Sequence, residues 1–512
     1  MSSRTRIKTR DGVLIDEVYQ SPVDRYEVRF RKLFLLIVLV LAALIVGYVI
    51  WSVTTDHPVT YSNITEHFKY GSIGSEPGGP LMSPVGGVLP PYWVFRVLPA
   101  ICPDKLPGGY TSLGFIYEPG RDLPIGISRR RRLGMDQVGL NCAACHTGTV
   151  RETPTSEAQI VLGMPAHQLD LQRLFDGVLS CTLDERLSLD NLLGKIKESG
   201  GHLGLIEGLL YRTALLNQIR TASLRQQGRS GVLLSTAVPA WGRGRVDTFN
   251  PYKAIQFNWS LAQLPPAELI GAADLPSLWN QQPREGMQLH WDGNNNSVDE
   301  RNLSAAIGAG VTPVTVDHDN IKRVRDWIWT LPPPKYPYAI DGARAASGQA
   351  IYAQLCAECH SFGGKRTGSV VDIGDIGTDP SRLNSYTHIF AANQAALFPE
   401  SRYRFTHFRK THGYANQPLD GIWARAPYLH NGSVPTLWDL LLSPEDRPQQ
   451  FSRGYDVYDK EKVGFISDTP GAKRTGSPYD TTVPGNGNAG HLYGTHLSDE
   501  EKRALVEYMK TL

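Results

Sequence analysis

The sequence predicts a mainly α-helical protein: two tandem domains of one plan, each with long loop-rich excursions, behind a single N-terminal transmembrane helix. Three observations predict it: an uncharged apolar run near the N-terminus, one short cysteine pattern that occurs twice, and a helical segment that closes each half of the chain. The 512 residues, 41% hydrophobic and 20% charged, are enough to bury a sizeable core. Fifty Gly and 35 Pro argue for irregular connections rather than long regular arrays.

Leu33 to Trp51 is nineteen residues without a charge, and as a helix it spans roughly 28 Å, close to the thickness of a bilayer core. A soluble helix is rarely apolar on every face. Arg29, Arg31 and Lys32 crowd its N-terminal flank, whereas Ser52 to Phe68 holds no Lys or Arg. The positive-inside rule then leaves residues 1–32 in the cytoplasm as a basic segment, makes 33–51 the anchor and exports the rest. A cleaved signal peptide is the alternative, but the basic lead is long for one and no A-x-A site follows. Residues 1–32 hold eight Lys/Arg against five acids, and the remainder carries 44 against 45. A body that neutral lacks the field that nucleic-acid binding needs.

Four of the six cysteines lie in two copies of C-x-x-C-H, Cys142-Ala143-Ala144-Cys145-His146 and Cys356-Ala357-Glu358-Cys359-His360. This is the attachment signature of c-type haem. Two thiols add to the two vinyl groups of one porphyrin, and the adjoining imidazole is delivered to its iron. A thioredoxin-like pair does not need the histidine and sits after a strand, a pattern that neither motif shows. A zinc site needs a second Cys/His pair at short spacing, and none is near. Two covalently attached haem c groups are therefore expected, with His146 and His360 as metal ligands. Their attachment outside the bacterial inner membrane agrees with the anchor's orientation. Cys102 and Cys181 make an even pair in an oxidising compartment, either a disulfide or two buried thiols.

The chain ends in an amphipathic helix, Leu497 to Leu512, with Ser498 and Glu501 spaced as a capping box. Asn320 to Leu331 is a comparable segment, stopped by Pro332, Pro333 and Pro334. These set an N-terminal haem domain at 57–331 and a C-terminal cytochrome c domain at 338–512. Leu171, Leu174, Phe175 and Val178 form one helical stripe, and Leu205, Leu209, Leu216 and Ile219 another. Both read as core.

Around the motifs the chain resembles the bacterial dihaem cytochrome c peroxidase superfamily: Gly348-Gln349-Ala350-Ile351-Tyr352 leads into the second motif, Trp291-Asp292-Gly293 lies between the two, and Ala426 to Ser433 (APYLHNGS) follows. Within it, Gly139-Leu140-Asn141, Gly421-Ile422-Trp423-Ala424-Arg425 and Gly490-His491 are most similar to the haem-type rubber oxygenases and their relatives. The resemblance implies that Trp291 relays electrons between haems, the alternative being an ordinary core tryptophan. It places His430 near the C-terminal haem without binding its iron, and Arg425 against a haem propionate. Both could instead be structural.

Peroxidases of this kind often use a methionine as second ligand of the C-terminal haem, but the one Met after His360 is Met509, inside the closing helix. His491, behind the Gly-rich run 485–490, is the first choice and His412 the second. Bis-histidine ligation suits storing or passing electrons. The N-terminal haem is then the reactive site, with Met164 or His167 as residues able to close its open face. Arg301 to Val316 holds no acid where peroxidases carry one, a loss of proton assistance worth ~10² to 10⁴ in rate. An apolar pocket fits dioxygen and an apolar substrate. The expected function is an oxidoreductase activating dioxygen or peroxide, with a redox partner or a small apolar substrate; the alternative is a plain electron-transfer cytochrome.

Overall fold

The computed structural model describes residues 3–12, 14–19, 22–55, 57–76, 89–398 and 402–512. It is mainly helical, with short strands in sheets of two or three. The chain divides into two compact units, residues 1–56 with 132–134, and the rest.

The first unit holds an antiparallel hairpin, Ser3–Lys8 with Leu14–Tyr19, and a helix, Pro22–Thr54. The helix begins eleven residues before the apolar run, so the polar residues leading into that run are themselves helical. Its Tyr26–Ser52 stretch is long and apolar enough to cross a membrane, and none of its most apolar portion is buried. The hairpin has no counterpart in the sequence reading, which saw only charge in residues 1–32.

The second unit carries both cysteine motifs. One core gathers around the helices Tyr92–Ile101, Leu171–Thr182 and Leu189–Glu198. Within it Cys102 and Cys181 form a disulfide, with Cα atoms 5.9 Å apart, closing a loop of 79 residues. A second core lies under the second motif, where Trp279, Trp423, Tyr428, Tyr458 and Leu505 pack with Val150, Val161 and Met164 from the segment following the first motif. The two halves are also joined through backbone: Arg151 N–H donates to Asp456 O at 2.7 Å, and Tyr458 N–H to Arg151 O at 2.9 Å.

The helix Gly342–Leu355 packs along the closing helix Asp499–Met509. They meet at Gly348, where a Cβ would lie 1.9 Å from Ala504 O, so only glycine permits the crossing. The closing helix has the expected capping box between Ser498 and Glu501. Its counterpart runs from His318 to Thr330, N-capped by Asp317, and ends before the prolines.

The first leucine stripe is buried at Leu171, Leu174 and Val178. The second is split: Leu205 is 92% exposed and Leu209 61%, whereas Ile219 is buried and Leu216 packs against the first core. A π-turn at Tyr211–Leu215 inserts a residue between the two helical stretches, so that Glu207, Tyr211 and Leu215, rather than Leu205 and Leu209, share the inward face with Ile219.

Candidate functional site: two histidine motifs joined through Trp291

The first motif follows directly on a strand, Met135–Leu140, which corrects the expectation that neither motif would do so. Asn141 makes the turn. Its Oδ1 accepts from Ala143 N–H at 3.0 Å and caps the helical turn Cys142–Cys145, while its Nδ2 donates to Lys69 O and Gly71 O. His146 then projects with Nδ1 2.7 Å from Pro276 O. A carbonyl only accepts, so Nδ1 carries the proton and Nε2 keeps its lone pair. Desolvation lowers the pKa of His146 to about 4, so the ring stays neutral, the form that binds a metal.

The second motif repeats this geometry on different elements. Helix Gly342–Leu355 delivers Cys356, a turn Ala357–His360 follows, and His360 Nδ1 lies 2.7 Å from Gln417 O. Desolvation lowers the pKa of His360 as well. None of the four motif cysteines is in a disulfide. Burial pushes the thiols of Cys142 and Cys145 up to about 11 and about 12, Cys356 to about 12, and Cys359 upward. Each motif thus offers two free thiols and one oriented imidazole, the donor set that covalent haem c requires.

His491 faces His360 with ring centroids 6.2 Å apart and planes at 43°. Two imidazoles sharing a metal need about 2 Å of bond on each side plus about 1 Å from each nitrogen to its ring centre, roughly 6 Å in all. His491 takes a left-handed backbone, φ 49°, behind Gly490 at φ 75°, and its N–H donates to Ile376 O at 2.9 Å. A Cβ on Gly490 would meet Ile376 O at 2.4 Å. Desolvation, then His360, lowers the pKa of His491 to about 3. His412 makes a backbone contact to Ile373 N–H and no ring contact with His360.

Trp291 joins the two motifs. Its indole N–H donates to Asp274 O at 2.8 Å, two residues before the carbonyl that holds His146. Its own carbonyl accepts from Ala415 N–H at 2.8 Å, two residues before the carbonyl that holds His360. The tryptophan is half-buried and lines a cavity of about 300 Å³ that also includes Cys142, Cys145 and His146.

Most of the cavity wall is apolar, with Leu171, Phe175, Phe249, Tyr252 and Phe390 on it. The first leucine stripe therefore serves both core and cavity. Its acids are Asp247, whose oxygens accept from Phe249, Asn250 N–H and Asn250 Nδ2, and Asp274, which pairs with Arg453. Glu300 and Asp317, flanking the acid-free stretch, line none of it. Neither Met164 nor His167 closes it: Met164 lies in the second core, and His167 bonds Thr149 O at 2.9 Å and stacks on Phe465.

His430 is buried, stacks on Tyr414 and shares a 3.0 Å hydrogen bond with its hydroxyl. Its carbonyl accepts from Asp274 N–H at 2.8 Å, which ties it to the Trp291 anchor rather than to either motif histidine. Arg425 lines the cavity but has a carboxylate partner in Asp420, at 2.9 Å, shared with Arg284. Desolvation lowers its pKa to about 10. Sequence reasoning missed Pro276 and Gln417, because any residue supplies a carbonyl. It also missed the cavity-wall donors Gln281, Arg301 and Asn302, which no motif marks.

Residues 413–452, which include Tyr414, Arg425 and His430, match the RoxA-like, cytochrome c-like family model. The uncharacterised protein y4iM of Sinorhizobium fredii is 34% identical over 298 residues, 50% of this chain and 67% of that one. The uncharacterised y4iJ of the same organism is 28% identical over 509 residues, 80% of this chain and 82% of that one. A structure of Kuenenia stuttgartiensis hydrazine synthase pressurised with xenon is similar over 48% of this chain and 73% of that one, at 16% identity and a TM-score of 0.25, too slight a likeness to carry an argument. The chain belongs to the same family as y4iM, and its cytochrome c-like segment, taken with the C-x-x-C-H motifs, implies covalently bound haem c.

Proposed function

We propose that the chain is a membrane-tethered dihaem c-type cytochrome and an oxidoreductase, with a reactive first haem and an electron-passing second. The observation that carries this is the hydrogen-bonded path through Trp291, anchored two residues from each histidine-holding carbonyl. Bound haem c would supply redox-active iron, held at the first motif by Cys142, Cys145 and His146 and at the second by Cys356, Cys359, His360 and His491. Pro276 and Gln417 fix the two proximal rings so that neither imidazole can rotate away. His491 closes the second site. At the first, no ring among the described residues is paired with His146 as His491 is with His360.

Both cavity acids are engaged, one by three donors and the other by Arg453, so neither is placed to move a proton. That favours dioxygen with an apolar substrate over peroxide cleavage. The unburied Tyr26–Ser52 helix and its flanking charges support an inner-membrane anchor with the haem-bearing unit outside the cytoplasm.

Purified protein is expected to gain the mass of two haems, losing one when both cysteines of either motif are replaced, and reduced protein to bind one carbon monoxide. A reporter active only outside the cytoplasm, fused after Leu512, is expected to be active. Two haems that never take carbon monoxide would leave a plain electron carrier; absence of covalent haem would end the proposal.

A further inference from the structure

One wall of the first-motif cavity carries hydrogen-bond donors with nothing to receive them. Arg301 makes one hydrogen bond, from Nη2 to Oδ1 of Asn302 at 3.0 Å, and has no carboxylate within ion-pair distance among the described residues. A guanidinium only donates, so this contact fixes Asn302 with Oδ1 toward Arg301. Its Nδ2 then donates to Gln281 Oε1 at 3.1 Å. That in turn fixes Gln281 Nε2 as the free end, and this nitrogen is buried without a partner in a residue 1% exposed.

All three side chains line the cavity. The neighbouring cation Arg284 pairs with Asp420, a carboxylate it shares with Arg425, and Asp247 and Asp274 are committed elsewhere. Arg301 is therefore left as a cation without an ion pair, influenced only at longer range by Glu285, with spare donors at both ends of a polarised amide chain whose own acceptors are taken. Desolvation, followed by Arg284, lowers the pKa of Arg301 to about 10, so it is still cationic at neutral pH. A desolvated cation without a counter-charge is unfavourable, and an anion arriving there relieves it. The planar fork of arginine suits a carboxylate.

We propose that Arg301, Asn302 and Gln281 form a carboxylate-binding site inside the cavity of the first motif. The carboxylate has two possible sources: a propionate of the haem held by Cys142 and Cys145, which rests on the function proposed above, or a separate apolar acid entering the cavity.

The test uses full-length protein in detergent, with Arg301→Gln, Gln281→Leu and Arg301→Lys, checked for native far-UV circular dichroism and for covalent haem by mass. If the ligand is a propionate, Arg301→Gln lowers the reduction potential of the first haem, because a cation favouring the added electron is gone. It also moves the pH dependence of that potential upward as the propionate holds its proton longer, and Arg301→Lys restores part of both. If the ligand is separate, calorimetry detects benzoate binding to the parent protein, weakened tenfold or more in Arg301→Gln and Gln281→Leu. Unchanged potential and pH dependence together with no benzoate binding would overturn the site. Absence of haem on Cys142 and Cys145 would count against the function above, and the benzoate measurement would still judge the site.

Discussion

His360 and His491 face each other across 6.2 Å between ring centroids, the spacing that two imidazoles on one metal require. The second haem is therefore expected to be six-coordinate and low-spin. Replacing His491 with Ala leaves His360 and both thiols in place and opens one axial position. Carbon monoxide bound by the reduced protein then rises from one to two per chain. A second site that stays closed in His491→Ala would assign its ligand to another residue.

Trp291 is held at its indole by Asp274 O and at its backbone by Ala415 N–H. In Trp291→Ala both haems stay attached, because no attachment residue is touched, while electron exchange between them slows. Trp291→Phe keeps an aromatic ring and loses the 2.8 Å bond to Asp274, so its exchange rate falls between the two. Flash photolysis of the half-reduced carbon monoxide complex measures it, and equal rates in all three proteins would remove Trp291 from the path.

Gly348 lets the helices Gly342–Leu355 and Asp499–Met509 touch, and an added Cβ would stand 1.9 Å from Ala504 O. Gly348→Ala must push these helices apart. The expected loss is about 3 kcal/mol, near the upper end of typical overpacking costs. Thermal unfolding followed at the second haem's absorption band would show it, and an unchanged midpoint would mean that the crossing yields more easily than its backbone contact implies.

Glu207 is 3% exposed, and burial, with Asp136 next, raises its pKa to about 7. Its unfolded value is about 4.3, so between these two pH values the native state holds a proton that the unfolded state has lost. Stability from this group is complete below about pH 4 and falls as the pH rises through 7, by a few kcal/mol. Glu207→Gln keeps the shape and removes the titration. Denaturant unfolding at pH 5 and pH 8 is expected to show a smaller difference in the variant than in the parent protein, and an equal difference would exclude Glu207 as the source.

Much of this protein is decided by residues next to each other in sequence. The two C-x-x-C-H motifs, the apolar run from Leu33, the Ser498–Glu501 capping box and the proline stop after Leu331 act through local chemistry, so they are legible without a fold. The pairing of Cys102 with Cys181 was open between two states and became a disulfide through their shared core. Where the sequence misled, a local rule was overridden at longer range: one extra residue in a π-turn moved Leu205 and Leu209 from the core to the surface. Met164 and His167 sit at a plausible distance along the chain from His146, yet packing against the second half draws them away from the cavity. The tertiary structure alone decides which carbonyls hold His146 and His360, that Trp291 joins them, and that Arg301, Asn302 and Gln281 present unused donors to one cavity. These depend on backbone groups and on side chains brought together from distant segments. A carbonyl has no sequence signature, and a donor is left unpaired only by what the fold places around it.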